Sequence, residues 1–278
     1  MSIITRITSG EFKHIIVLTG AGVSTGAGIP DYRSQSGIFA ELMKEFPKQR
    51  EASSGHFNLP QAQSPQDLFS RSFVIKHKVY DHPIYKERIQ MIREAKPTLA
   101  HMLCKWFYDK GWLQRVYTQN IDGLHQKAGI PEDMVVEYHG SLLKNNVVLY
   151  GDSIPTSAIY DTITDFVHNK EPVDLILVMG TSLQVAPFCA IPNLVPKSCT
   201  RVLVDIHPEN AFTNDWTKKK TSPEDMYGLS MSSSATVKFG KRLVSLRPQW
   251  VRHSKWKDQH IIVSDTDAWA NSIMAHDI

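Results

Sequence analysis

The sequence predicts an α/β protein built on a doubly wound parallel sheet, with a smaller helical lobe inserted into it. Three observations carry that expectation. Short β-branched apolar runs alternate with helical stretches. The runs are apolar throughout rather than alternating, as in strands covered on both faces. Several of them close on a glycine or a small polar residue, at the rim where such sheets hold ligands.

The expected strands are 14–20 (HIIVLTG), 113–120 (LQRVYTQN), 134–140 (MVVEYHG), 146–152 (NVVLYGD), 173–180 (VDLILVMG), 200–206 (TRVLVDI) and 260–265 (HIIVSD). Helices are expected over 97–112, where Leu99, Met102, Leu103 and Trp106 recur at helical spacing, and over 157–169 and 267–276. Asp265 stands where it can cap the last of these. Strand–helix alternation with right-handed crossovers gives the doubly wound sheet. Residues 34–96 interrupt it with helical, turn-rich sequence too long for an ordinary connection, and read as an inserted small lobe. Residues 207–259, with Lys218–Lys220 and Ser232–Ser234, read as a variable surface insertion. The rest, 1–33 and 97–278, forms a Rossmann-like body.

Bulk properties narrow the function classes. Hydrophobic residues make up 42% and charged residues 21%, as in an ordinary soluble enzyme. A formal charge of +3 makes no case for a nucleic-acid ligand. No apolar run approaches the roughly 18 residues that span a bilayer, and no secretory h-region precedes the first strand. Cys104, Cys189 and Cys199 are few and scattered, which argues for a reducing intracellular compartment, cytoplasm or nucleus, with a mitochondrial one left open.

The chemistry gathers at the strand ends. Gly20, Gly22 and Gly26 follow the first strand and should open a helix whose free N–H groups favour a pyrophosphate. The spacing is Gly-x-Gly-x-x-x-Gly, with Thr25 in the usual third glycine's place, so the loop departs from the common dinucleotide fingerprint. Alone, it could equally be a tight turn without a ligand. Gln119, Asn120 and Asp122 close the second strand with amides and a carboxylate able to orient a ribose or a carboxamide, or else to cap a turn. His139 follows an apolar strand and precedes Gly140, a setting for a general base or for a structural histidine. His101, near Cys104 on a helix, suits core packing instead. Gly180, Thr181 and Ser182 end another strand, and Asp205 a further one. Together they describe one dinucleotide site with a histidine beside it.

The stretches GAGVSTGAGIPDYR, TQNIDGLHQKAG, EYHGS and GTSLQVAP, in this order, closely resemble the sirtuins, the NAD-dependent protein-lysine deacylases. The resemblance runs from about residue 12 to the final helix and leaves 207–259 without a counterpart. It implies that Gly20, Ala21, Gly22 and Thr25 line the phosphate and ribose side of NAD. Ile29, Pro30, Asp31, Tyr32 and Arg33 would form a loop closing over the cofactor. Asn120, Ile121 and Asp122 would make the nicotinamide pocket, Gln119 would hold the nicotinamide ribose, and His139 would be the general base. Gly180, Thr181, Ser182 and Asp205 would hold the adenosine half, with the backbone near Thr266 against the adenine. Val148, Leu149, Tyr150 and Gly151, facing Gln184 and Val185, look like the two edges that grip an extended acylated-lysine peptide. The implied products are free lysine, nicotinamide and O-acyl-ADP-ribose.

Three departures stand out. The two Cys-x-x-Cys pairs that sirtuins carry after this histidine are missing, because Ser141 is followed only by LLKN before NVVLYGD. Four-coordinate structural zinc is therefore not expected from these residues: either the zinc ribbon lobe is missing, or residues have been removed from the chain at this point. Asp205 replaces the family's usual asparagine and disfavours the 2′-phosphate of NADP. Tyr85 and Arg88 match the spacing of a pair that reads acidic acyl groups in one subclass, although a tyrosine and an arginine three apart are also ordinary helix-surface residues. Alternatives to a deacylase are an NAD glycohydrolase or mono-ADP-ribosyltransferase without a lysine substrate, and a catalytically silent NAD-sensing module. A conventional dehydrogenase fits least.

Overall fold

The computed structural model describes residues 1–31, 69–76, 78–81, 83–169, 171–211, 236–239, 242–245 and 258–277. Tyr32, Arg33 and residues 34–68, and with them much of the expected lobe and cofactor loop, lie outside this set, as does most of 207–259. Strands β1 (Ile15–Thr19), β2 (Leu113–Thr118), β3 (Val135–Glu137), β4 (Leu175–Met179) and β5 (Thr200–Asp205) are as expected to within a few residues. Strands β6 (Thr236–Phe239) and β7 (Arg242–Ser245) pair antiparallel by themselves, within the stretch read as an insertion. Strand β8 (Gln259–Val263) completes a parallel sheet in the order β3-β2-β1-β4-β5-β8. This is the doubly wound arrangement, and its switch point lies between β1 and β4.

Both faces of the sheet are covered. One face presents Ile15, Val17, Leu175, Leu177, Val202 and Val204 to three helices. These are α1 (Ile3–Thr8), α4 (Leu99–Asp109) and α7 (Thr266–Met274). The other presents Ile16, Leu18, Ile176, Val178 and Leu203 to Phe188, Ile191, Leu194 and Ala158 of α6 (Thr156–Ile163). Alternate residues of each strand thus serve opposite layers, so every position of β1 and β4 is buried. Helices α2 (Arg71–Lys76), α3 (Pro83–Glu94) and α5 (Leu124–Lys127) lie on the connections.

Two expectations need correction, and one helix was not anticipated. Residues 146–152 do not form a strand; a single parallel bridge joins Tyr150 to Ser70. The carboxylate of Asp152 accepts from the Leu149 amide, and Gly151 at φ +93° turns the chain away from the sheet. Helix α4 exists, but its core face is Ala100, Leu103, Cys104 and Phe107, leaving Leu99 and Met102 about two-fifths exposed. Two apolar stripes interleave on this helix, and the one with small residues packs closest to the sheet. Helix α1, capped by Ser2 accepting from the Thr5 amide, stands before β1 without having been anticipated. Asp265 does cap α7, accepting from the Asp267 and Ala268 amides.

The backbones meet at the switch point. The Gly22 amide donates to the Gly180 carbonyl at 2.9 Å. A Cβ on Gly180, whose φ is +60°, would stand 2.6 Å from the Val23 nitrogen and 2.8 Å from the Gly22 Cα. Gly180→Ala is therefore expected to lower stability by about 3 kcal/mol, from backbone strain plus overpacking. Gly111→Ala, at φ +68° but with open space around the added methyl, should lose only about 1 kcal/mol. Urea midpoints compare the two, and equal losses would refute the steric reading.

Candidate active site

Leaving β1, residues Ala21–Ala27 wind into a 3-10 turn rather than the regular helix expected of a dinucleotide loop. Thr25 Oγ1 donates to the Gly22 carbonyl at 2.9 Å, and Gly28 at φ +80° ends the turn. Thr266, the first residue of α7, lies 3.5 Å from the same Gly22 carbonyl. Ala21 is half-buried, and Ile29 packs with Ile92 and Leu124.

A buried polar chain links this turn to the end of β2. Asn120 Nδ2 donates to the Gly20 carbonyl and to Ser24 Oγ, each at 3.0 Å. Ser24 Oγ donates to Asp122 Oδ2 at 2.7 Å, and the Leu124 amide donates to Asp122 Oδ1 at 2.9 Å. A hydroxyl has one proton, so the direction is fixed from amide to hydroxyl to carboxylate. Ser24, Asn120 and Asp122 are 1%, 7% and 4% exposed, so water cannot substitute for a lost partner. Asp122 and Asn120 were legible in the sequence; Ser24 was passed over within the glycine loop.

Gln119 and His139 complete the rim. The Gln119 amide donates to the Thr19 carbonyl, and its Oε1 accepts from Thr181 Oγ1 at 2.9 Å. Gln119 Nε2 is buried and has no partner among the described residues, so a donor is held ready there. His139 Nδ1 lies 2.9 Å from the Gln119 carbonyl. A carbonyl only accepts, so Nδ1 carries the proton and the lone pair resides on Nε2, the tautomer a base requires. Thr181 Oγ1 also accepts from the Leu183 amide, shaping the turn that carries Ser182, Gln184 and Val185. Leu183 takes a left-handed φ of +51° there.

The other expected residues are placed as follows. The Val148 amide donates to the His139 carbonyl at 2.8 Å, which ties the 147–152 edge to the histidine. Leu149 is buried, and Tyr150 exchanges main-chain bonds with Phe69 and Arg71. The Arg71 guanidinium grips the Asp152 carboxylate and the Val147 carbonyl. Ile121 accepts at its carbonyl from the Leu142 amide. Asp205 Oδ1 accepts from the His207 amide at 2.8 Å. Asp31 is half-buried where the described residues of this loop end. Tyr85, on α3, packs with Phe69 and Tyr80, and Arg88 lies beside the Met91 sulfur.

Behind the Asn120–Asp122 turn sits a pair of buried histidines. Thr19 Oγ1 and His125 Nε2 are 2.9 Å apart, His101 Nδ1 accepts from the Thr98 amide, and the two rings are 4.6 Å apart. Burial pushes both imidazoles from 6.5 down to about 3, with His101 adding to the effect on His125 and Asp122 opposing it. The folded pair stays neutral where unfolded histidines would be protonated. Protons therefore favour the unfolded chain, and stability present above pH 6.5 is lost as pH falls toward 3. The urea midpoint should be lower at pH 5 than at pH 7.5, and the His101→Gln/His125→Gln variant should lose part of that difference; an unchanged difference would remove the pair as its source.

The three cysteines offer no thiolate cluster for zinc. Cys104, Cys189 and Cys199 are all buried, and burial pushes each thiol up to about 12. Among the described residues no group of three or more His, Cys, Asp or Glu is arranged to hold a metal ion. No helix among them is long and apolar enough to cross a membrane.

The model of the Sir2 family matches residues 20–145, the span from the glycine loop through His139. The NAD-dependent protein deacetylase hst2-1 of Emericella nidulans is 34% identical over 69% of this chain and 57% of its own length. The NAD-dependent protein deacetylase hst2 of Schizosaccharomyces pombe is 32% identical over 74% of this chain and 67% of its own. NAD-dependent protein deacetylase sirtuin-2 of Danio rerio is 31% identical over 74% and 59%. The chain thus spans roughly three-fifths of the length of these three relatives. A solved Sir2 structure with a deacetylated p53 peptide and 3'-O-acetyl ADP ribose superposes with a TM-score of 0.62 at 21% identity, covering 98% of both chains. Sheet order, rim chemistry and these similarities agree: the chain belongs to the Sir2 family.

Proposed function

We propose that the chain is an NAD-dependent protein-lysine deacylase that consumes NAD as a co-substrate. The observation that carries this reading is the convergence, at one rim, of the Asn120–Ser24–Asp122 chain with a histidine whose Nε2 lone pair is set by the Gln119 carbonyl. A dehydrogenase only borrows the nicotinamide ring. An enzyme that expels it needs a carboxylate and an amide fixed against the leaving carboxamide, and a base beside the ribose.

In this reading Asp122 and Asn120 hold the nicotinamide, with Ile121 between them. Gln119 Nε2 donates to the nicotinamide ribose. The glycine turn from Gly20 to Thr25 receives the phosphates, with Ile29 and Asp31 on the loop that follows it. Gly180, Thr181, Ser182, Asp205 and Thr266 hold the adenosine half. The acyl oxygen of the substrate lysine attacks the ribose carbon as nicotinamide leaves. His139 then takes the proton of a ribose hydroxyl, which attacks the activated acyl carbon. Val148 to Gly151 and Gln184–Val185 flank an extended peptide, and Tyr85 and Arg88 are the candidates for reading an acidic acyl group. We infer a small lobe over 34–96, a catalytic body over 1–33 and 97–278, and a cytoplasmic or nuclear setting.

Incubation with NAD and an acetylated or succinylated peptide should release nicotinamide and O-acyl-ADP-ribose only when peptide is present. His139→Ala should lower kcat by about a thousandfold while NAD affinity changes little. Nicotinamide released equally without peptide would replace the deacylase with a glycohydrolase, and retained turnover in the variant would remove His139 as the base.

A further inference from the structure

After His139 the resemblance implies two Cys-x-x-Cys pairs, whereas this chain has only Leu142, Leu143, Lys144 and Asn145 between Ser141 and Asn146. Those residues are closely knit. Asn146 Oδ1 accepts from the Ser141 amide at 2.8 Å, and the Asn146 amide donates to the Ser141 carbonyl at 3.2 Å. The Asn145 amide donates to the Leu142 carbonyl, and Asn145 adopts a left-handed φ of +54°. Gly140, at φ +69°, lies so close under the Asn146 carbonyl that a Cβ would overlap it.

This turn is fastened to both halves of the site. The Leu142 amide donates to the Ile121 carbonyl at 2.9 Å, inside the loop that carries Asn120 and Asp122. The chain leaving Asn146 returns at once to His139, through the Val148 amide on the His139 carbonyl at 2.8 Å. Lys144 bridges Glu132 and Glu137 at the outer side, at 2.6 and 2.8 Å. The three cysteines of the whole sequence lie elsewhere, so four thiolates cannot be assembled here.

We propose that the Ser141–Asn146 turn is a metal-free clip, in which Asn146 is a positioning residue that holds the His139 backbone in register with the Asn120–Asp122 loop. Its side-chain oxygen does the closing, because Ser141 N–H has no other acceptor in the turn and a buried donor without one is costly. The clip deepens the deacylase reading and rests on it for its kinetic consequence, but not for its structural one.

The test uses the whole chain with Asn146→Ala and Asn146→Asp, the latter keeping an acceptor at the same position. With an acetylated peptide, Asn146→Ala should lose about tenfold or more in kcat, with peptide KM and NAD affinity within about twofold, since a misplaced base costs rate rather than binding. Asn146→Asp should recover most of the loss. Hydrogen exchange over 139–148 should accelerate in Asn146→Ala and return toward the parent in Asn146→Asp. Zinc measured by mass spectrometry should stay well below stoichiometric, and a chelator should leave Tm unchanged. Stoichiometric zinc with a chelator-sensitive Tm would overturn the clip, as would kinetics and exchange unchanged in Asn146→Ala, or an equal loss in both variants. If the parent chain turns over no NAD with peptide, the deacylase reading falls, while exchange and zinc content still decide the clip.

Discussion

Gly22 and Gly180 approach across the switch between β1 and β4 more closely than any side chain would allow, and the rest of the site depends on that approach. It lets the 3-10 turn lie flat on the rim of the sheet, with the Gly20 carbonyl and Ser24 hydroxyl facing the end of β2. Had the turn stood one methyl farther out, Asn120 could not reach both. The carboxylate of Asp122 would then sit in a buried place without its hydroxyl partner, at the cost of an unsatisfied charge.

The polar groups of this rim are organised by their neighbours more than by their own loops. Gln119 is the hinge between two functions: its carbonyl fixes the His139 tautomer while its side-chain oxygen is occupied by Thr181. Thr181 in turn closes the bend that carries Gln184 and Val185. Groups assigned to the cofactor, the base and the peptide edge thus share atoms, so disturbance in one should be felt in the others.

Much of this was legible in the sequence. The apolar strands were found because burial on both faces makes them continuous, and the rim residues because each directly follows such a strand. Other features were hidden for physical reasons. Ser24 has no periodicity to mark it, and its role arises from a residue about a hundred positions away in the chain. The 146–152 stretch has the composition of a strand, but Asp152 and Gly151 bend it after one bridge. In α4 two apolar stripes compete, and only packing against the sheet selects the one with Ala100 and Cys104. The role of Asn146 could not be read from composition, because an asparagine beside another asparagine looks like any turn.

The grip of Arg71 on Asp152 has one further consequence. Its arginine is nearly half exposed, and pairs of that kind contribute at most about 1 kcal/mol at ordinary salt. The main-chain bonds between Tyr150 and residues 69–71 therefore hold that edge, and the ion pair trims their strength according to ionic strength. The segment around residues 69–71 is in this way fastened to the histidine's own loop mainly by main-chain bonds, and salt removes only the small ionic part of that hold.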